Sequence, residues 1–422
     1  MRLEFVNRGP ELQELDTAAR RGGLVVVYGR RRIGKTRLLR NWLDRHGGLY
    51  SQAIEAGAEM QILQLWADIA PRMETPLAPR TWTDLLELLR TGIGRRALCI
   101  DEFPYLVAQD ASIPSQIQKW LDHSQPRGSL LILAGSSTRM MGDLFLNRGA
   151  PLFGRAQKLL AIKPMSYGAF CDACGLDPRD IGTFEKFSCV GGVPRYWEFV
   201  EKRQTAVQLA EALFFDFAPY MEQEPDRLLR DEGVAGLNAL AVLEAVGRGA
   251  ERPSEIASRL ATAQTNLSRL LQQLLDAALL HRELPFGESL RSTRKVLYRI
   301  QDPAVRFWFR VFSPHRSLWA TYDLSQKRKL VHDHAATVFE DYCRARYPGA
   351  SRYWEANCEF DLVAVDPDDS TRLVVGEVKF RAIPAAEKKR LTVSLRARWE
   401  RAGLRAKYPR ARFVVLDASA IG

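Results

Sequence analysis

The sequence predicts an α/β chain made of successive modules, and three stretches carry that expectation. Residues Leu24 to Leu39 pass from an apolar run through a glycine-bounded loop into a helical apolar pattern, Leu38, Leu39, Trp42 and Leu43. Residues Ala97 to Glu102, ALCIDE, form a second apolar strand that closes on two acids. From Val331 the pattern reads helix, three strands, helix, strand, with acids and a lysine placed along the strands EFDLVAV and RLVVGEVKF. A length of 422 residues exceeds one ordinary core and implies two or three domains, and 46% hydrophobic content supports folding throughout.

Taken in order, the segment Phe5 to Leu15 predicts a strand end or turn and then a helix near Pro10, because Pro is favoured in a first turn and Glu11 suits its positive end. The loop that follows, Gly29 to Thr36, spells GRRRIGKT and matches GxxxxGK[ST] in full. Each part of that pattern has a physical reason. Gly29 and Gly34 let the backbone curl its N–H groups around an anion, Lys35 supplies a point charge, Thr36 offers a hydroxyl to Mg²⁺, and the helix starting near Lys35 aims its positive end at the same place. Candidate nucleotide-binding residues are therefore Gly29, Arg30, Arg31, Arg32, Ile33, Gly34, Lys35, Thr36 and Arg37. Asp101 is the expected partner of Thr36 in holding Mg²⁺, and Glu102 the base that polarises water, so ATP and Mg²⁺ are the expected cofactors.

Residues Ser51 to Arg95 read as helices, Pro114 to His123 as an amphipathic helix, and Ser129 to Ser137, SLLILAGSS, as a third buried strand. Met165 to Tyr220 reads as helical and contains GGVPRYW from Gly191 to Trp197. Phe5, Arg8, Glu11 and Leu12 match an FxxRxxEL box. With the phosphate loop, the acid pair, the GSS strand end, GGVPRYW and DPAVRFW in order, the chain resembles the archaeal-type AAA+/STAND-like P-loop ATPase family. The resemblance implies an AAA+-like fold with a helical lid. It further implies that Val6, Asn7 and Arg8 neighbour the base, Ser136 or Ser137 senses the γ phosphate, Arg195 faces nucleotide, and Arg155 is an arginine finger acting in cis or on a neighbouring subunit of a homo-oligomer.

Between Asp231 and Arg299 three helical stretches precede a β-hairpin pattern, the order of a winged helix-turn-helix. Its third helix presents Gln264, Thr265, Asn266, Ser268 and Arg269 at the end that reads base edges, and the wing presents Arg291, Arg294 and Lys295 to phosphates. A net charge of +11 favours anionic partners, and DNA is the expected one.

The carboxyl-terminal succession resembles the restriction-endonuclease-like core. Glu377 and Lys379 lie two residues apart on one strand face, Asp361 on the neighbouring strand, and Glu340 on the preceding helix. Asp361 and Glu377 would hold Mg²⁺ while Lys379 orients water. Lys388, Lys389, Arg390, Arg396, Arg398, Arg401 and Arg405 read as a basic flank for a phosphate backbone. The expected division is 1–164 ATPase core, 165–229 lid, 230–316 winged module with linker helix, and 317–422 nuclease-like module. Six scattered cysteines and the lack of a secretory leader point to a reduced, cytoplasmic setting, and no apolar run approaches the about 18 residues of a membrane span. Two functions fit: an ATP-hydrolysing DNA-binding protein with a nucleotide-gated nuclease module, or a nucleotide-switched scaffold with an inactive one.

Overall fold

Strands β1 (Gly23–Tyr28), β2 (Leu49–Gln52), β3 (Ala97–Asp101), β4 (Leu130–Gly135) and β5 (Ala156–Ala161) make a parallel sheet in the order β2-β3-β4-β1-β5. The structure is a computed structural model and describes residues 4–73, 77–234, 236–291, 293–355 and 358–422. Alternation along β1 sends Val25 and Val27 against Leu38, Leu39 and Trp42 of the Lys35–His46 helix, and Leu24 and Val26 toward Leu65, Trp66 and Leu85 on the other face. Both faces are buried, which is why β1 reads as an unbroken apolar run. Because all five strands run the same way, the loops after β1, β3 and β4 leave from one edge, where ligands bind in open α/β sheets.

Residues 165–229 are helical, with segments Tyr167–Cys174 and Ile181–Val190. The long helix Leu324–Ala345 packs against Ile181–Val190. The rings of Phe184 and Phe339 meet at 5.4 Å, and His334 Nε2 lies 2.9 Å from the Ser188 carbonyl. Burial pushes the His334 pKa down to about 3, so the imidazole sits neutral among these rings. Tyr167, Phe170, Phe184, Phe307, Phe339 and Phe380 share one apolar core. A single core thus spans both sides of residue 317.

Helices Leu237–Gly247, Pro253–Arg259 and Gln264–Asp276 are followed by an antiparallel pair, β6 (Leu280–Glu283) and β7 (Leu297–Ile300), around Val242, Ile256, Leu271 and Phe309. Beyond the shared helix, β8 (Ser351–Glu355), β9 (Cys358–Asp366), β10 (Asp369–Val378) and β11 (Arg410–Leu416) form a second sheet in the order β11-β10-β9-β8. The first three are antiparallel, whereas β11 runs parallel to β10, and the Ala385–Trp399 helix supplies the crossover that a parallel pair needs. Leu395 and Trp399 of that helix cover Phe360, Leu373 and Val375.

The β6–β7 hairpin is tied to the second sheet. Phe286 N donates to Arg352 O at 2.8 Å, and Asp341 sits among Arg306 at 2.7 Å, Arg299 at 3.9 Å and Arg344. Burial alone would raise the Asp341 carboxyl, but these guanidiniums hold it well below the usual carboxylate range. Among the described residues no helix is long and apolar enough to cross a membrane.

Candidate functional site

The phosphate loop joins the end of β1 to the Lys35–His46 helix. Gly29 has φ +150°, and a Cβ there would meet the Ile162 carbonyl at 2.5 Å, so only glycine fits; Gly34, at φ +97°, closes the loop in the same region. Lys35 is buried, and its Nζ donates to Gly29 O at 2.7 Å, Arg30 O at 3.2 Å and Ser136 Oγ at 3.0 Å. Burial lowers its pKa, against the raising pull of Glu102 and Asp101.

Thr36 Oγ1 donates to Asp101 Oδ2 at 2.6 Å, and Tyr50 OH donates to the same oxygen at 3.0 Å. Glu102 accepts from Ser136 N at 3.2 Å and from the Ser136 hydroxyl. A relay of side chains therefore runs Lys35, Ser136, Glu102. Glu102 holds φ +54°, a left-handed backbone that a residue with a Cβ adopts only at a cost of about 1–3 kcal/mol, and it is met here where a carboxylate is turned toward the loop. Thr36, Asp101, Glu102 and Ser136 are thus brought together as expected from the sequence.

The three loop arginines reach away from the loop. Arg30 pairs with Asp302 at 2.7 Å, Arg31 with Asp231 at 3.1 Å, and Arg32 with Glu224. A fourth acid, Glu232, is buried and accepts from Ser137 Oγ, Thr138 N and Arg139 N, each at 3.1 Å, capping the helix Thr138–Phe145 that follows the GSS strand end. Burial raises its pKa. None of these four acids was singled out in the sequence, since each acts on a group far along the chain; Asp302 opens the DPAVRFW stretch, and the other three lie outside any motif.

Ile33 is a core residue that offers its carbonyl to Arg8 at 2.9 Å. Arg8 also donates to Lys163 O at 3.0 Å and pairs with Glu11 at 2.7 Å. It lines a recess with Phe5, Val6, Gly34, Arg37 and Trp197, the place expected for a base, but its guanidinium is spent on holding the loop backbone.

Two expectations need correction. Arg195 does not face this recess, because it pairs with Glu198 at 2.5 Å and lies over the Tyr220 ring, whose surroundings include Arg32. Arg155 precedes Ala156, which is in register with Leu24 at the start of β1, so it stands at the edge of the sheet opposite the phosphate loop. It pairs there with Asp122 at 2.9 Å and cannot serve the loop of its own chain.

On the second sheet, Asp361 Oδ2 accepts from Val378 N at 2.8 Å, between Glu377 and Lys379. Burial raises the Asp361 pKa, and burial together with the Asp361 charge pushes Glu340 up to about 6. The Glu377 oxygens are both occupied, one by Lys379 at 2.7 Å and the other by Arg398 at 2.6 Å. Burial would raise Glu377, but these cations hold it low, and Lys379 in turn is held charged, so it can orient water but cannot act as a base. Among the described residues no group of three His, Cys, Asp or Glu converges to hold a metal ion. The expected Mg²⁺ pair, Asp361 and Glu377, does not fit a cation in this arrangement, because Arg398 stands where the charge would be neutralised.

Residues 5–196 match the model of an ATPase domain found predominantly in Archaea, and residues 308–391 match that of archaeal and bacterial proteins of unknown function. An uncharacterised protein of Methanocaldococcus jannaschii is 26% identical over 415 residues, covering 92% of this chain and 90% of that one. Among solved structures, a Walker-type ATPase of Pyrococcus abyssi superposes with a TM-score of 0.53 at 19% identity, over 73% of this chain and 96% of that one. The sheet order and loop geometry are those of a P-loop fold, which the Pyrococcus abyssi structure shares, and residues 5–196 are similar to the archaeal ATPase domain.

Proposed function

We propose that this protein is an ATP-hydrolysing, DNA-binding switch whose phosphate loop reports nucleotide state to the modules that follow it. The observation that carries the reading is the set of ion pairs from Arg30, Arg31 and Arg32 to Asp302, Asp231 and Glu224. Asp302 also caps the Pro303–Phe307 helix by accepting from Val305 N, so a shift of Arg30 acts directly on the segment that leads out of the three-helix module. Thr36 and Asp101 would hold Mg²⁺, which supplies neutralisation of phosphate charge when bound. Lys35 would exchange the Gly29 and Arg30 carbonyls for phosphate oxygens, Ser136 would sense the γ position, and Glu102, released from Ser136, would orient the attacking water.

The helices 237–276 with β6 and β7 read as a winged helix-turn-helix, with Gln264, Thr265, Asn266, Ser268 and Arg269 exposed on the third helix. The sheet β8–β11 reads as a restriction-endonuclease-like core. Its Glu377–Arg398 pair favours the second function: a module held inactive as folded, with cleavage requiring Arg398 to leave. The segments 1–164, 165–229, 230–316 and 317–422 are proposed as units of function, although one apolar core crosses the last boundary. Arg155 is proposed to act on a second copy of the chain in a homo-oligomer.

ATP hydrolysis and DNA affinity at two salt concentrations, for wild type, Lys35→Ala and Asp302→Asn, test this. Lys35→Ala should weaken nucleotide binding by roughly 100-fold, the scale of a lost charge-assisted bond. Asp302→Asn should hydrolyse ATP while its DNA affinity no longer responds to nucleotide. A wild-type ATP response in Asp302→Asn removes the coupling, and DNA affinity indifferent to salt removes DNA as partner.

A further inference from the structure

We propose that the cleft between the three-helix module and edge strand β8 captures single-stranded DNA, with Trp354 as the surface on which a base stacks. The proposal rests on the DNA-binding reading above and adds a site and a strand form to it. The cleft encloses about 880 Å³ and is lined by Arg252, Gln264, Arg294, Lys295, Trp354 and Arg398. Four of these six side chains are cationic, and they come from three separate places: the start of the second helix, the segment before β7, and the crossover helix of the second sheet. Arg294 and Lys295 are exposed and form no ion pair among the described residues.

Two acids, Glu355 and Glu359, also line the cleft, and both are engaged. Glu355 accepts from Tyr353 OH at 2.8 Å and Gly403 N at 2.9 Å, and Glu359 pairs with Arg352. Arg252 and Arg398 are themselves paired, with Glu255 and Glu377, so Arg294 and Lys295 set against Glu355 leave the cleft with net positive charge where a phosphate chain would run.

Trp354 gives the cleft its strand preference. Alternation along β8 turns Tyr353 into the core and leaves Trp354 half-buried in the cleft wall. An aromatic face flanked by separated cations suits unpaired bases, each of which has a π-face, whereas bases inside a duplex are already stacked. Gln264, at the start of the third helix, belongs to the same wall, so a strand leaving a duplex on the exposed side of that helix enters the cleft directly.

At the far wall, Arg398 donates to Glu377 at 2.6 Å and to the Glu359 carbonyl at 2.7 Å. A phosphate in the cleft competes with Glu377 for this guanidinium, so strand capture and the state of the carboxylate cluster are linked through one side chain.

Fluorescence anisotropy of the full chain with a labelled short oligodeoxythymidine and with a labelled hairpin duplex, in EDTA, tests the site. Trp354→Ala should weaken the single strand roughly ten-fold or more while leaving the duplex unchanged, and Trp354→Phe should restore much of the loss. The double variant Arg294→Glu/Lys295→Glu, on exposed positions that do not threaten folding, should weaken the single strand and flatten its salt dependence. Single-strand affinity unchanged in both Trp354→Ala and the double variant, with wild type binding DNA, overturns the cleft alone. Displacement of the oligonucleotide by polyglutamate at matched charge, insensitive to Trp354→Ala, overturns it in favour of an acidic protein partner. A wild type that binds neither DNA form instead fails the DNA reading on which the cleft depends.

Discussion

The phosphate-loop site and the cluster on β9 and β10 are built from the same parts, two acids and a lysine, and hold them in opposite electrostatic states. Asp101 and Glu102 are met by Thr36, Tyr50 and Ser136, all neutral, while Lys35 is spent on two carbonyls and a hydroxyl. Negative charge is left over for a cation, and positive charge is held in reserve for phosphate. At the second site Glu377 is saturated by Lys379 and Arg398. Similar residues thus make one site prepared for a metal-bound anion and another closed by its own ion pairs. The identity of the partners, more than the presence of acids and a lysine, sets what each can do.

The largest test of this contrast is Glu102→Gln. Removing a positioned base should lower turnover by roughly 10²- to 10⁴-fold while nucleotide affinity is kept, as read by single-turnover hydrolysis beside equilibrium binding. Normal turnover would show that the open site does not work through Glu102. Next is Arg398→Ala, which should open the closed site. Without metal the variant should lose roughly 1.5–3 kcal/mol of stability, the scale of a bond between charged groups, and Mg²⁺ should restore part of that loss in a thermal melt. A melt indifferent to Mg²⁺ would mean that the cluster is closed for reasons beyond this pair.

The smallest effect concerns Glu340. Its carboxyl moves from an ordinary 4.5 up to about 6, chiefly through burial and then through the Asp361 charge. The folded state therefore disfavours its ionised form, and the resulting cost is absent below pH 4.5, grows through that window and is complete above pH 6. Glu340→Gln should accordingly gain up to about 2 kcal/mol at neutral pH and nothing at pH 4, as read by denaturant melts at both values. An equal gain at both pH values would assign the change to packing.

The contrast also explains which parts were legible in the sequence. The grouping of residues at the phosphate loop was readable because they lie within short motifs, and β1, β3 and β4 carry the apolar runs of strands buried on both faces. The order of elements from helix 324–345 to β11 was readable for the same local reason. Glu224, Glu232, Asp231 and Asp302 were not, because they act on groups about a hundred or more residues away; the Arg31–Asp231 pair spans 200 positions. Arg398 did leave a signal. It stands three residues after buried Leu395, so it shares that face of the helix and turns toward the sheet, not outward with the basic flank. Arg155 was misplaced for a cis role because a Gly-Arg dipeptide carries no information about which end of a strand it precedes.

The helix Leu324–Ala345 gives one face to the core of the helical segment 165–229 and lies against β9 and β10 as well. Cutting the chain at the apparent seam near residue 317 would strip Phe339 from Phe184 and leave aromatic surface bare on the half that remains. A truncated protein that loses ATPase activity would then be reporting a broken fold, not a missing signal. Dissecting the two halves calls for point changes at their ion pairs in place of scissors.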